Sequence, residues 1–285
     1  MKLIKQSFEI WNQPAGLEGV YKQIERVGRV CYKSEDKITE DSAKPFVDRM
    51  IKSGHGAMLE HGTVYLKITY KDTDFTTLCM FYGKNKYSVL NHSEDNKIYY
   101  ITTNYRVLVE NNHLSDLKYL CEPTKYHEKR ICVKFICDRG ILAEFTRHRT
   151  FSFSAESTRY CNYSKNKFNN ELVFILPPWI NPNPEDIDNN TFSDLQFRGF
   201  LREAEKLYMT LLSEGWTPQQ ARAVLPNALK TELVMTGFVS DWNHFFRLRS
   251  RIAETGKPHP QAQELADPLM DEFVKRGIIS TPLNI

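Results

Sequence analysis

What most limits the fold of this chain is the way its apolar residues change period along the sequence. Between Thr63 and Tyr70 they alternate, with Val64, Leu66 and Ile68 set against more polar neighbours, the two-residue period of a half-buried strand. From Leu17 the spacing is helical instead, through Val20, Tyr21, Ile24 and Val27. "IYYITTNYRVLV" returns to β-type composition, and "ICVKFIC" followed by "DRG" reads as a strand closed by a turn. "ILAEFTRHR" then places Ile141, Leu142 and Phe145 at helical spacing, with the basic residues at its far end. Strands and helices are interleaved, so the class expected is α/β or α+β. The length of 285 residues fits one large domain or two small ones, and no internal repeat is visible.

Start and stop signals place further helices. Ser42 caps one over "SAKPFVDRMIKSG", which Gly54 ends. Ser193 and Gln196 form a capping box for a helix whose apolar stripe is Phe197, Phe200, Leu201, Ala204, Leu207, Tyr208 and Leu211, stopped by Gly215. Thr217, Pro218 and Gln220 open a short helix that Pro226 ends, with Arg222 inside it. Asp241 caps "WNHFFRLRS", and a last helix runs roughly from Pro260 to Lys275. The polar stretch near 82–97 reads as a surface excursion, and the Pro-rich one near 177–190 as a linker or surface loop.

Charge excludes some functions. With 38 basic and 35 acidic residues the net charge is +3, short of the excess by which a protein coats a nucleic-acid backbone, so any anion site is local. The N-terminus is too polar for a signal peptide, and no apolar run approaches the ~20 residues needed to cross a bilayer. A cytoplasmic protein that binds neither membrane nor nucleic acid is expected. The six cysteines form neither a Cys-x-x-Cys pair nor a zinc-spaced cluster with histidine, which predicts reduced, structural thiols and no metal.

The densest group of donors is "RHRTFSFSAESTRYCNYS", Arg147 to Ser164. Arg147, Arg149 and Arg159 offer planar forks of N–H donors suited to phosphate or an imide edge, His148 adds a titratable group, and Ser152, Ser154 and Ser157 add hydroxyls. The plain alternative is a solvated basic helix end favoured by the helix dipole. The serines and the Arg-Tyr pair that follow weigh against it.

This stretch resembles the RHR-x7-S signature of the flavin-dependent thymidylate synthases: Arg147-His148-Arg149, seven residues, Ser157, then Arg159-Tyr160. "LEHGTVYLKI" before it, and "QARAVLP" and "HFFRLR" followed by a "QELA"-like helix after it, fall in the family's order, so the resemblance spans roughly Arg29 to Phe273. It implies one catalytic domain over 1–285, with a mixed, twisted central sheet flanked by helices, assembled as a homotetramer with sites shared between subunits. The implied reaction is reductive methylation of dUMP to dTMP in thymidylate biosynthesis. Its carbon donor is 5,10-methylenetetrahydrofolate, its redox carrier bound FAD and its reductant NADPH.

Carried over by position, Arg147, His148 and Arg149 contact FAD, with His61, Thr63 and His244 as further FAD positions. Glu144, Arg147, Glu156, Ser157, Arg159, Arg222 and Arg249 fall on dUMP, and Arg249 is the catalytic residue that polarises the uracil ring. Structural roles compete with several of these: a hydrogen-bonded histidine at 61 or 244, β-propensity at Thr63, and an i,i+4 salt bridge from Glu144 to His148. The Pro-Cys-His nucleophile of the folate-only synthases is missing, in keeping with flavin-supplied electrons.

The chain departs from the commoner motif in carrying Ser154-Ala155 where Asn-Glu is usual, so that glutamate's contact does not transfer; Glu156 is the neighbouring acid. The intervals around "SRIAETGKPHP" and 82–97 are longer than in compact relatives, leaving His259 without a role. Two other readings compete: an RNA- or nucleotide-binding module using Phe151, Phe153 and Tyr160 for stacking, and a flavoprotein that has lost methylation.

Overall fold

Asp138, Asn104 and Asp74 show how the chain turns strand or loop into helix, each side chain accepting a hydrogen bond from the backbone N–H three residues on. The computed structural model describes residues 1–280 apart from 94, 96, 184 and 186–189, so parts of both predicted loops lie outside the described residues. In chain order the elements are β1 (Lys2–Ile4), β2 (Ser7–Trp11), α1 (Gly16–Tyr32), α2 (Ala43–Lys52), α3 (Gly56–Leu59), β3 (Thr63–Thr69) and α4 (Phe75–Leu78). Then come β4 (Val89–His92), β5 (Ile98–Asn104), α5 (Tyr105–Glu110), β6 (Arg130–Asp138), α6 (Arg139–Phe145), β7 (Ser152–Ala155) and β8 (Val173–Ile175). The last are α7 (Phe192–Ser213), α8 (Pro218–Ala221), β9 (Lys230–Phe238), α9 (Val239–Arg249) and α10 (Pro260–Lys275).

These form a mixed α/β domain with helices flanking sheets. The single mixed sheet expected is instead divided: an antiparallel sheet in the order β2-β6-β9-β7, an antiparallel sheet β3-β5-β4, and a parallel pair β1-β8. Alternation along β6 explains the layering. Val133, Phe135 and Cys137 face a core shared with Trp242, Phe245 and Phe246 of α9 and Leu265, Leu269 and Phe273 of α10. Cys132, on the opposite face, packs with Trp11, Val234 and Val27 and Val30 of α1. The other face of α1 joins α2 and the β3-β5-β4 sheet, and α7 covers β8.

Several local expectations change. The 82–97 stretch is no mere excursion: Tyr82 is buried, and β4 pairs along β5 through main-chain bonds that leave its side chains half exposed and without a period. "DRG" opens α6 because Asp138 caps it, and "YRVLV" is helix α5 because Asn104 caps that. Ser42 occupies the N-cap of α2, but its hydroxyl donates to Glu25 Oε2 at 2.7 Å. Thr191 and Asp194, not Ser193 and Gln196, form the box that starts α7. Asp241 accepts from the Phe238 N–H from inside α9, which begins at Val239. On α7 the inward face is Leu201, Ala204 and Tyr208, whereas Phe200 and Leu207 are exposed.

Candidate active site

α6 and α9 bring the first group of functional side chains together. Trp242, Phe245 and Phe246 anchor α9 in the core at about 1.5–3 kcal/mol for each large apolar side chain. That packing fixes the helix whose last residue is Arg249. Arg249 Nη1 donates to Glu144 Oε2 at 2.7 Å, Nη2 to the Glu144 carbonyl at 3.1 Å, and Nε to His148 Nε2 at 3.2 Å. To accept that last bond His148 must be neutral at Nε2. Burial first, then Arg249 and His244, push its pKa down to about 4, so it is neutral at pH 7.

Glu144 therefore pairs with Arg249 and not with His148. α6 ends at Phe145, so residues 144 and 148 are not neighbours on one helical face. His244 is exposed, its ring 6.2 Å from that of His148. Arg147 and Arg149 flank His148 as exposed side chains with no hydrogen bond or ion pair to any described residue.

A second group lies where the 157–160 turn meets α8. The Ser157 N–H is tied to the Cys31 carbonyl at 3.0 Å, which fixes the turn against α1. Arg159 Nε donates to Gln219 Oε1 at 2.6 Å, and Arg222 Nη1 reaches Thr158 Oγ1 at 3.5 Å. Arg222 and Thr158 line a cleft of about 230 Å³ together with Arg139. Sequence reading missed Arg139 by assigning "DRG" to a turn. It opens α6, Glu144 lies near the other end, and five residues of helix separate the two by roughly 8 Å along the axis.

Other positions sit in the interior. Glu156 is buried, accepting from Lys230 Nζ at 2.7 Å and from Tyr163 OH at 2.8 Å. His61 is fully buried, with Nδ1 2.8 Å from Thr236 Oγ1, and burial followed by the nearby Arg130 lowers its pKa to about 3. Thr63 is held by Gln13 through both backbone groups and receives a bond from Arg130 at 3.3 Å. His259 precedes α10, with its ring 5.7 Å from Trp179.

A basic cleft of about 550 Å³ was also missed. Arg29, Lys33, Lys37, Arg49, His55 and Lys167 are among its walls, and it adjoins the 157–160 turn through a Tyr32–Tyr160 ring contact at 5.1 Å. The signal was present in α1 and beyond as Arg29, Lys33 and Lys37 at four-residue spacing.

Burial works against five of the six thiols as nucleophiles. All six are free, and burial raises Cys31 and Cys121, lifts Cys132 to about 11 and Cys161 to about 12, and drives Cys137 up further. Among the described residues no group of three or more His, Cys, Asp or Glu is placed to hold a metal, and no helix is long and apolar enough to cross a membrane.

Residues 128–276, which include both groups, match the family model described as thymidylate synthase complementing protein, Thy1. The chain belongs to this family, that of the flavin-dependent thymidylate synthases. Among curated relatives bearing the latter name, that of Mycobacterium avium is 32% identical over 121 residues, 39% of this chain and 46% of the relative. That of Corynebacterium efficiens is 34% identical over 120 residues, with the same shares. That of Pyrococcus abyssi is 29% identical over 140 residues, 49% and 52% of the two chains. The Thy1 chain thus spans about half the length of the curated relatives it matches. Among solved structures, the UMP/dUMP methylase PolB from Streptomyces cacaoi bound with 5-Br dUMP aligns over 96% of this chain and 93% of its own, at 18% identity and a TM-score of 0.44.

Proposed function

We propose that the chain is an FAD-dependent thymidylate synthase, converting dUMP, 5,10-methylenetetrahydrofolate, NADPH and a proton to dTMP, tetrahydrofolate and NADP⁺. The observation that carries this reading is the Arg249–Glu144–His148 cluster, formed inside the family match and beside two unpaired arginines.

The donor set fits FAD. Arg147 and Arg149 are exposed with no side-chain partner among the described residues, as expected of guanidinium groups whose counterion is a ligand such as a pyrophosphate. With His148 and His244 they form the proposed flavin contacts, while His61 and Thr63 act only from the interior. When bound, FAD would supply the electrons that reduce the transferred carbon.

For dUMP, Ser157, Arg159 and Arg222 hold the phosphate end, and Arg147 and Glu144 lie towards the ring. Glu156 acts through Lys230, which binds its carboxylate. Arg249 uses three of its five N–H bonds on Glu144 and His148, leaving two for the uracil carbonyl edge. Held in a fixed orientation, the guanidinium stabilises negative charge as it builds on the ring oxygens, which activates C5 and C6. Neutral His148 keeps Arg249 in place without adding a repelling charge.

The proposal includes a homotetramer with shared sites, working in the cytoplasm. The unpartnered Arg147 and Arg149 and the exposed apolar side chains Phe192, Leu195, Phe200 and Leu207 support the assembly, and the free cysteines support a reducing compartment. The competing RNA-binding reading loses one of its three stacking residues, since Phe151 is buried against Trp242 at 4.7 Å, while Tyr160 stays exposed. The test is to incubate the protein with dUMP, methylenetetrahydrofolate and NADPH, with and without FAD, and assay dTMP. Flavin-dependent dTMP is expected; none from protein that retains flavin would overturn the reading.

A further inference from the structure

A third concave feature lies in the interior between β2, α1, β3 and β6. It is a cavity of about 110 Å³ whose walls include Trp11, Gln23, His61, Thr63 and Arg130. Pro14, Gly16 and Glu122 are exposed members of the same wall and give it a mouth.

Its chemistry is one-sided. Arg130 is buried and makes no ion pair with any described carboxylate: Nη1 donates to the Glu60 carbonyl at 2.9 Å and to Thr63 Oγ1 at 3.3 Å, and Nη2 to Ser152 Oγ at 3.1 Å. These are neutral acceptors. Burial lowers the guanidinium's pKa, with Tyr65, Glu60 and Asp241 offsetting it only in part. Gln23 is 2% exposed, and its amide nitrogen and oxygen lack a hydrogen-bond partner other than the weakly polar Cys132 thiol. The buried Trp11 indole N–H has no partner either. His61 is neutral and brings no negative charge. Glu122, the one carboxylate on the wall, is exposed and accepts from the Gly16 N–H at 3.3 Å.

A buried cation without a counterion, beside unsatisfied N–H donors, is unfavourable unless something fills the space between them. We propose that this cavity binds one small monovalent anion of halide or formate size, held by the Arg130 guanidinium, the Gln23 amide and the Trp11 indole N–H. Size defines the class: the volume matches only a few water molecules at about 30 Å³ each, well under the roughly 300 Å³ at which pockets for cofactors and nucleotides begin. The cavity is thus too small for the flavin or the nucleotide, although it shares the interior residues His61 and Thr63 with the proposed flavin set, and the anion site does not rest on the proposed activity.

The test melts the whole protein at constant ionic strength while sodium gluconate, whose anion is too large to enter, is exchanged for sodium bromide or formate. A saturable rise in Tm with bromide and formate is expected. Crystals grown in bromide should show an anomalous peak inside the cavity. Gln23→Leu should weaken the apparent bromide affinity by about ten-fold through loss of one hydrogen bond to a charged group. Trp11→Phe, which removes only the indole N–H and its ring, gives the same reading if the first variant fails to fold. Glu122→Gln should tighten binding. Equal Tm in bromide and gluconate, a cavity holding water alone, or full bromide dependence in a folded Gln23 or Trp11 variant would overturn the proposal.

Discussion

Replacing Arg249 by alanine separates what this side chain does for stability from what it does for chemistry. It would remove a charge-assisted bond to Glu144 Oε2 at 2.7 Å and two longer bonds, to the Glu144 carbonyl at 3.1 Å and to His148 at 3.2 Å. Arg249 and Glu144 side chains remain 18% and 32% exposed, so water replaces much of the lost interaction and the total cost is about 1–2 kcal/mol. α9 itself stays docked through Trp242, Phe245 and Phe246, worth about 1.5–3 kcal/mol apiece. Urea melts should thus show a folded protein with a modestly lower midpoint. Removing a preorganised donor from a developing oxyanion costs on the order of 10²–10³ in turnover, so dTMP formation should fall that far while flavin absorbance is retained. The variant also carries an internal reporter. Arg249 is, after burial, the largest influence holding His148 at about 4, so the imidazole titration followed by NMR should move up towards 6.5. Unchanged turnover, or a His148 titration that does not move, would refute the arrangement.

Stability should decline on mild acidification. His61 and His148 have folded pKa values of about 3 and about 4, both below the ordinary 6.5, so the unfolded chain binds protons that the folded chain refuses. Their contribution is complete above pH 6.5 and is lost as pH falls towards 4, at up to ~1.4 kcal/mol per pH unit for each. Denaturant melts at pH 7, 6 and 5 check this, and equal stabilities at 7 and 5 would contradict it. Gly237→Ala addresses the packing behind the site. An added Cβ would sit 2.6 Å from the Phe151 ring, which is wedged against Trp242, so a loss of about 1–3 kcal/mol is expected in a thermal or urea melt.

Periodicity exposed the elements whose side chains carry the burial pattern and hid those defined by main-chain bonding. β3 and α10 were legible because Val64, Leu66 and Ile68 alternate and because Pro260 opens a helix with Leu265, Leu269 and Phe273 buried along it. β4 was not, since an edge strand is held by its ladder to β5 and needs no apolar face. Helix starts shifted by a few residues wherever two capping residues competed, as Thr191 and Ser193 did before α7. In the site, the residue types were readable from "RHR" onwards, but Glu144 and Arg249 lie 105 residues apart and nothing in their spacing makes them partners. The nearer pairing, Glu144 with His148, assumed a helix that continues; Thr146 ends it first.

The net charge of +3 hides cations that a carboxylate answers and cations that none does. Lys33, Lys134 and Lys230 converge on the buried carboxylate of Glu232. Burial alone would raise that carboxylate's pKa, but the three lysines together hold it far below the usual range. Arg29 is likewise matched by Glu25 and Arg249 by Glu144. Among the described residues the Arg147 and Arg149 side chains have no hydrogen-bond or ion-pair partner, while Arg159 and Arg222 hydrogen-bond to the neutral Gln219 and Thr158. None of these four makes an ion pair with a described carboxylate, which under the proposed function leaves them to an anionic ligand. Phosphate and pyrophosphate groups satisfy that requirement through the bidentate geometry arginine offers. On the proposed reading, the scarcity of acids around "RHRTFSFSAESTRY" has a physical reason: a carboxylate at each arginine would occupy the place of the ligand.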